Sequence, residues 1–169
     1  PLGAYSQQRI IPARIAVKLP DGISHEIAAT LMTKGLTTNY LLTKTYKLSA
    51  GETVLFHAAA GGVGQIFAQW ANSIGAKVIG TVGSDEKIKI AEENGYSNII
   101  NYSKQDFFKE VMNITKNEGV TAVFDGVGKN TLRRRRSVAG NESGGFLNRE
   151  FRLHLVGEPL FDVDNCVIK

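Results

Sequence analysis

Thr53-Val54-Leu55-Phe56-His57-Ala58-Ala59-Ala60-Gly61-Gly62-Val63-Gly64 is the stretch on which the fold of this chain turns. Its first six residues are a compact apolar run, suited to a strand covered on both faces. A helix should begin within the glycines and reach about Ser73, burying Val63, Ile66, Phe67 and Trp70 at spacings of three and four. Gly75 is then placed as the glycine that ends it. A strand, a glycine turn and a helix in that order are the opening unit of a dinucleotide-binding sheet.

The usual fingerprint is G-x-G-x-x-G; here it is Ala59-x-Gly61-x-x-Gly64, with alanine in the first slot. Gly61 lets the backbone approach a pyrophosphate, and Gly64 lets the helix pack closely on the strand. The helix N-terminus then offers free N–H groups and partial positive charge to an anion. The alternative is a glycine turn that serves helix packing alone. A P-loop is disfavoured, because no Gly-Lys-Ser/Thr follows.

Downstream, strands and helices alternate. Strands are expected at 77–82, 97–101 and 120–125. Helices are expected at 85–94, capped by Ser84 and closed by Gly95, and from a Ser103/Asp106 capping box to about Lys116, stopped by Gly119. The order implies an α/β, Rossmann-type parallel sheet with helices on both faces.

The end of the second strand distinguishes the two nicotinamide cofactors. An acidic side chain there would hold both ribose hydroxyls and repel a 2′-phosphate. Thr81-Val82-Gly83-Ser84, with Lys87 one turn on, favours NADP(H). Asp85 and Glu86 compete with that preference, although acidic residues also suit the first turn of any helix.

Upstream, residues 7–19 mix β-branched residues with charges and end at Pro20-Asp21-Gly22, which suggests one or two short strands and a turn. Ser24 can cap a helix carrying Ile27, Ala28, Leu31 and Met32, broken at Gly35. A second helical stretch would follow with Tyr40, Leu41, Leu42 and Tyr46.

Bulk properties exclude several classes. At 169 residues, 43% hydrophobic and 21% charged, the chain is an ordinary globular domain, and it has no apolar run long enough to span a membrane. The net charge of +4 is supplied by one block, Arg133 to Arg136, which leaves a general nucleic-acid surface poorly supported. The single Cys166 fits a reducing, cytoplasmic setting. His25, His57 and His154 are too scattered for a zinc site, and His57 suits a hydrogen-bonded structural role. Pro1-Leu2-Gly3-Ala4-Tyr5 has no signal pattern and reads like the middle of a protein.

From Gly3 to about Leu132 the sequence closely resembles the zeta-crystallin-like NADPH:quinone oxidoreductases, a zinc-free branch of the medium-chain dehydrogenase/reductase superfamily. The resemblance rests on Lys34-Gly35-Leu36-Thr37, Tyr40-Leu41-Leu42, Phe56 to Gly64, Gly75 to Gly83, Ile100-Asn101-Tyr102 and Phe124-Asp125-Gly126-Val127-Gly128. It implies a GroES-like catalytic domain preceding the Rossmann domain, homodimers, and hydride transfer from NADPH to quinones or activated alkenes. It also implies that Gly62 and Val63 lie against the pyrophosphate, and Gly83, Ser84 and Lys87 around the 2′-phosphate. Tyr102 would then cover the adenosine side, Val127 the nicotinamide ribose, and Tyr40 would reach the cofactor from the preceding helix. No residue is assigned as a catalytic acid or base.

After Leu132 the family pattern fails, and a slipped reading frame over about residues 133–157 would account for the break. The expected division is therefore 1–22 as a remnant of the catalytic domain, 23–132 as the NADP-binding domain, and 133–169 as an atypical segment. Two rivals stay open: an enone or acrylate reductase of the same superfamily, and a non-catalytic dinucleotide- or RNA-binding module.

Overall fold

The computed structural model of the chain describes residues 5–127 and 152–155. A parallel sheet forms its centre, from β1 (Thr53–His57), β2 (Lys77–Val82), β3 (Asn98–Asn101), β4 (Ala122–Asp125) and β5 (Arg152–Leu155), in the order β3-β2-β1-β4-β5. Helices α2 (Gly62–Ile74), α3 (Glu86–Glu93) and α4 (Phe107–Ile114) join the first four strands, and α1 (His25–Tyr40) precedes them. The order reverses between β1 and β4. The chain winds outward through α2 and α3, returns past β1, and lays α4 on the opposite face, as right-handed crossovers require.

Strand alternation divides the interior into two cores. Val54, Phe56, Val78 and Phe124 face α2, where Phe67, Ala68 and Ala71 are fully buried. Leu55, Ile79, Ile100 and Val123 face α4, against Phe107 and Val111. The helices therefore cover both faces of the sheet, as expected. Phe67 holds the first core together, with ring centroids 4.5 Å from Phe56 and 4.6 Å from Phe124. His57 is buried, with Nδ1 2.8 Å from Thr81 Oγ1 on the paired strand, a structural histidine.

Several local expectations need correction. The stripe of α2 buries Gly64, Phe67, Ala68 and Ala71; Val63 and Trp70 are only partly buried, and Ile66 and Trp70 line a shallow hollow with Leu31 of α1. Small residues take the sheet-facing positions because the helix axis lies close to the strands. Gly35 does not break α1. The glycine costs about 1 kcal/mol in a helix, whereas burying Leu41 and Leu42 just beyond it contributes about 1.5–3 kcal/mol each. A π turn over Leu41–Thr45 ends the helix, Tyr46 N–H donating to the Leu41 carbonyl at 3.0 Å.

Residues 7–19 hold one short 3-10 turn, Ala13–Ile15, and no strand. Ile10 and Val17 are exposed, and β-branched residues make a strand only where a partner strand pairs with them. Ser24 caps α1 as expected, its Oγ accepting from Ile27 N–H at 3.3 Å. Ser84 does not cap α3 through its side chain, since Asp85 occupies the cap position. Ser103 does not cap α4 either. Asn101 draws residues 103–105 into a turn on its own oxygens, so the helix waits for Asp106, whose carboxylate accepts from Phe108 N–H at 3.1 Å. The arginine block, Cys166 and most of the segment 133–157 lie outside the described residues. Within that segment, Arg152–Leu155 pairs in parallel with Ala122–Asp125.

One long-range bond ties the loop between α3 and β3 to α2. The buried Tyr96 hydroxyl donates to the Gly64 carbonyl at 2.8 Å, and its burial pushes its ionisation well above the usual tyrosine range. Tyr96→Phe should lower unfolding free energy by about 1 kcal/mol, seen as a fall of about 2–4 °C in a thermal melt. An unchanged melt would show that the hydroxyl contributes nothing.

Candidate functional site

β1 delivers the chain to a tight turn at its C-terminal end. Ala58 adopts φ 60°, a left-handed conformation rare for alanine, and its carbonyl accepts the Gly61 N–H at 2.9 Å. The Ala59 N–H donates to the Thr81 carbonyl at 2.9 Å, which anchors the turn to β2. Gln65 reaches back, its Nε2 donating to the Ala60 carbonyl at 2.8 Å. The turn is held from both sides.

The glycines differ in what they do. A Cβ on Gly64 would lie 2.5 Å from the Ala59 carbonyl oxygen and 2.8 Å from that of Ala58, so only glycine fits there. On Gly61 a Cβ would be 3.0 Å from the Ala58 oxygen. Around Gly62 the neighbour is a side chain: a Cβ would lie 2.5 Å from Lys34 Cε and 3.0 Å from its Nζ. The exposed Lys34 thus crosses from α1 to the start of α2. Gly61 supplies no side-chain cap, so the first amides of α2, from Gly62, Val63 and Gly64, lack a side-chain acceptor. A helix N-terminus, a bare backbone and a neighbouring ammonium together suit an anion.

The neighbouring strand ends converge on the same edge. Gly83 follows β2, and a Cβ on it would lie 2.8 Å from the Tyr102 hydroxyl, so the tyrosine lies over that glycine. Ser84 and Lys87 follow at the start of α3, and the Lys87 N–H donates to the Ser84 carbonyl at 3.2 Å. The Ser103 hydroxyl donates to the Gly83 carbonyl at 2.7 Å, which ties the β3–α4 turn to this loop. After β4, the buried Asp125 carboxylate accepts from Val127 N–H at 2.8 Å, which fixes where Val127 sits. Tyr40 stands in the last turn of α1, about 9 Å along the helix axis beyond Lys34, with 42% of its surface exposed. The predicted residues Gly61, Gly62, Val63, Gly64, Gly83, Ser84, Lys87, Tyr102 and Val127 are gathered at the strand ends. Tyr40 stands on the neighbouring helix.

Asp85 is the acidic group nearest the end of β2. Its Oδ1 accepts from Asn101 Nδ2 at 2.6 Å and its Oδ2 pairs with the Lys104 ammonium. The bonds from Lys104 and then from Asn101 hold its carboxyl below the usual aspartate range. Lys34 and Asn101 lie in segments that carry the family resemblance, but nothing in the sequence assigns a role to either of them or to Lys104. Their partners lie far along the chain, and only the fold brings them together.

The residues around Gly62 and Gly83 fit a dinucleotide: each glycine brings bare backbone to the strand ends, with a Lys34 ammonium beside one and a Tyr102 ring over the other. Among the described residues no group of three or more His, Cys, Asp and Glu gathers, and no helix is long and apolar enough to cross a membrane.

A family model for zinc-binding dehydrogenases matches residues 62–141. The chain is 49% identical to the quinone oxidoreductase of Pseudomonas aeruginosa over 131 residues, 78% of this chain and 40% of that protein. It is 48% identical to the 2-haloacrylate reductase of a Burkholderia species over 136 residues, 79% of this chain and 41% of that protein. The crystal structure of Escherichia coli quinone oxidoreductase complexed with NADPH superimposes with a TM-score of 0.72 at 40% identity, covering 85% of this chain and 49% of that one. The chain spans about half the length, or less, of these relatives.

The glycines separate in a stability test. Gly64→Ala should cost about 1–3 kcal/mol, because its new methyl meets fixed carbonyls. Gly62→Ala should melt within a degree or two of the parent, since only the flexible end of Lys34 must move. Equal losses at the two positions would contradict this geometry.

Proposed function

We propose that this chain is part of a quinone oxidoreductase of the medium-chain dehydrogenases and reductases, binds NADPH at the strand ends and serves hydride transfer to a quinone. The observation that carries the proposal is the uncapped start of α2, opened by Gly61, Gly62 and Gly64 at the reversal point of the sheet, with Lys34 alongside. Ligands of such sheets bind at that crevice.

The roles are those the resemblance implies, and the gathering of these residues at the strand ends supports them. The amides of Gly62 and Val63, with Lys34, receive the diphosphate, and Gly61 keeps its approach clear. Gly64 seats the helix. Ser84, Lys87 and the backbone of Gly83 receive the 2′-phosphate, a charge-assisted contact. Tyr102 covers the adenosine side, Val127 lines the nicotinamide ribose, and Tyr40 approaches from α1. Bound NADPH supplies the hydride. The residues of this chain orient it; none of the described residues is assigned as a general acid or base, and the rate is ascribed to proximity to an electron-poor acceptor.

In the full protein we place residues 1–22 with a GroES-like catalytic domain, 23–132 in the NADP-binding domain and 133–169 in an atypical C-terminal segment. We further propose that the full protein is a zinc-independent homodimer of the cytoplasm with no nucleic-acid partner. The 48% identity to 2-haloacrylate reductase supports a second reading, reduction of an activated alkene such as an enone or acrylate.

Fluorescence titration with NADPH and NADH tests the cofactor, and a panel of quinones and enones given to the full-length protein separates the acceptors. Tight binding of a short RNA with no response to NADPH would sink the proposal. Lys87→Glu should weaken NADPH about tenfold or more while sparing NADH, and equal losses would remove Lys87 from the phosphate. Lys34→Ala should weaken both cofactors alike, by about three- to tenfold.

A further inference from the structure

Asp85 poses a problem for an NADPH site. It is a carboxylate three residues past the end of β2, beside Ser84 and on the same loop as Lys87. An acid at the end of this strand commonly binds the ribose diol and excludes a 2′-phosphate. Left free, Asp85 would set a negative charge near a dianion.

The carboxylate is not free. Both of its oxygens are engaged, Oδ1 by the Asn101 amide at 2.6 Å and Oδ2 by Lys104. Asn101 is itself fixed, because it ends β3, is buried, and takes the Ser103 N–H on its side-chain oxygen at 3.0 Å. The same turn bonds the Gly83 carbonyl through the Ser103 hydroxyl at 2.7 Å. The β3–α4 turn therefore grips the β2–α3 loop at two points. One of them draws Asp85 toward β3 and matches its charge with an ammonium.

We propose that Lys104, with Asn101, is a specificity-determining positioning pair, which holds and neutralises Asp85 so that the loop after β2 accepts a 2′-phosphate. Lys104 acts through Asp85 and has no contact with the cofactor. The inference rests on the NADPH reading given above. It adds that the choice of NADPH over NADH depends on a lysine from the next crossover.

Dissociation constants of NADPH and NADH, measured on the full chain for the parent, Lys104→Ala, Lys104→Arg and the double variant Asp85→Asn/Lys104→Ala, test it. Lys104→Ala should lower the preference for NADPH over NADH by about three- to tenfold, a size set by a partly exposed charge. Lys104→Arg should keep the parent preference. The double variant should restore it, because no carboxylate remains to be restrained. A parent that binds NADPH, with a preference unmoved by Lys104→Ala, overturns the proposal while leaving the cofactor reading intact. So does a loss that Asp85→Asn fails to rescue, which would mean that Lys104 touches the phosphate itself. A parent that binds neither dinucleotide overturns the cofactor reading, and this proposal with it.

Discussion

Everything at the strand ends depends on how closely α2 lies on the sheet. The backbone at Gly64 sits against the Ala58 and Ala59 carbonyls with no room for a methyl group. Beneath it, Gly80 clears the space that Ala59 and the Tyr96 ring fill: a Cβ there would lie 2.7 Å from one and 2.6 Å from the other. The Tyr96 hydroxyl then fastens the helix from the side. Widening any of these contacts would lift the start of α2 away from β1. The amides of the first turn would then point at nothing in particular.

This packing explains why the central fold was legible in the sequence. The runs 53–58 and 77–82 are long, apolar and bounded by glycines, and a strand buried on both faces needs that composition. Gly75, at φ 91°, ends α2 as expected. Legibility failed where the competing force was tertiary. Gly35 is a weak helix position overruled by the burial of Leu41 and Leu42 just beyond it. The residues 7–19 have strand-like composition, and among the described residues no strand lies beside them. At 103–106 two residues could each cap a helix, and the side chain of Asn101 decided between them.

The candidate site divides along the same line. Gly61 and Gly64 could be found because a missing side chain at a fixed spacing is a local signal, whereas Gly62 and Gly83 were assigned through family resemblance. Tyr102 and Val127 came only through family resemblance, and the structure supplies physical reasons for their positions, the bare Gly83 and the Asp125 carboxylate. Lys34 and Lys104 were beyond reach. A lysine on a helix or turn is ordinarily a solvated charge, and nothing around either in sequence names Gly62 or Asp85 as its neighbour.

The left-handed backbone at Ala58 has a consequence of its own. An L-residue with a methyl group in that region is disfavoured by about 1–2 kcal/mol, and the fold absorbs this when the turn closes between β1 and α2. The bend is set by the chain's own bonds, the Gly61 N–H on the Ala58 carbonyl and the Ala59 N–H on the Thr81 carbonyl. A loop with its hinge already set has little freedom left to lose on association, so its selectivity reflects shape and charge rather than the cost of being ordered.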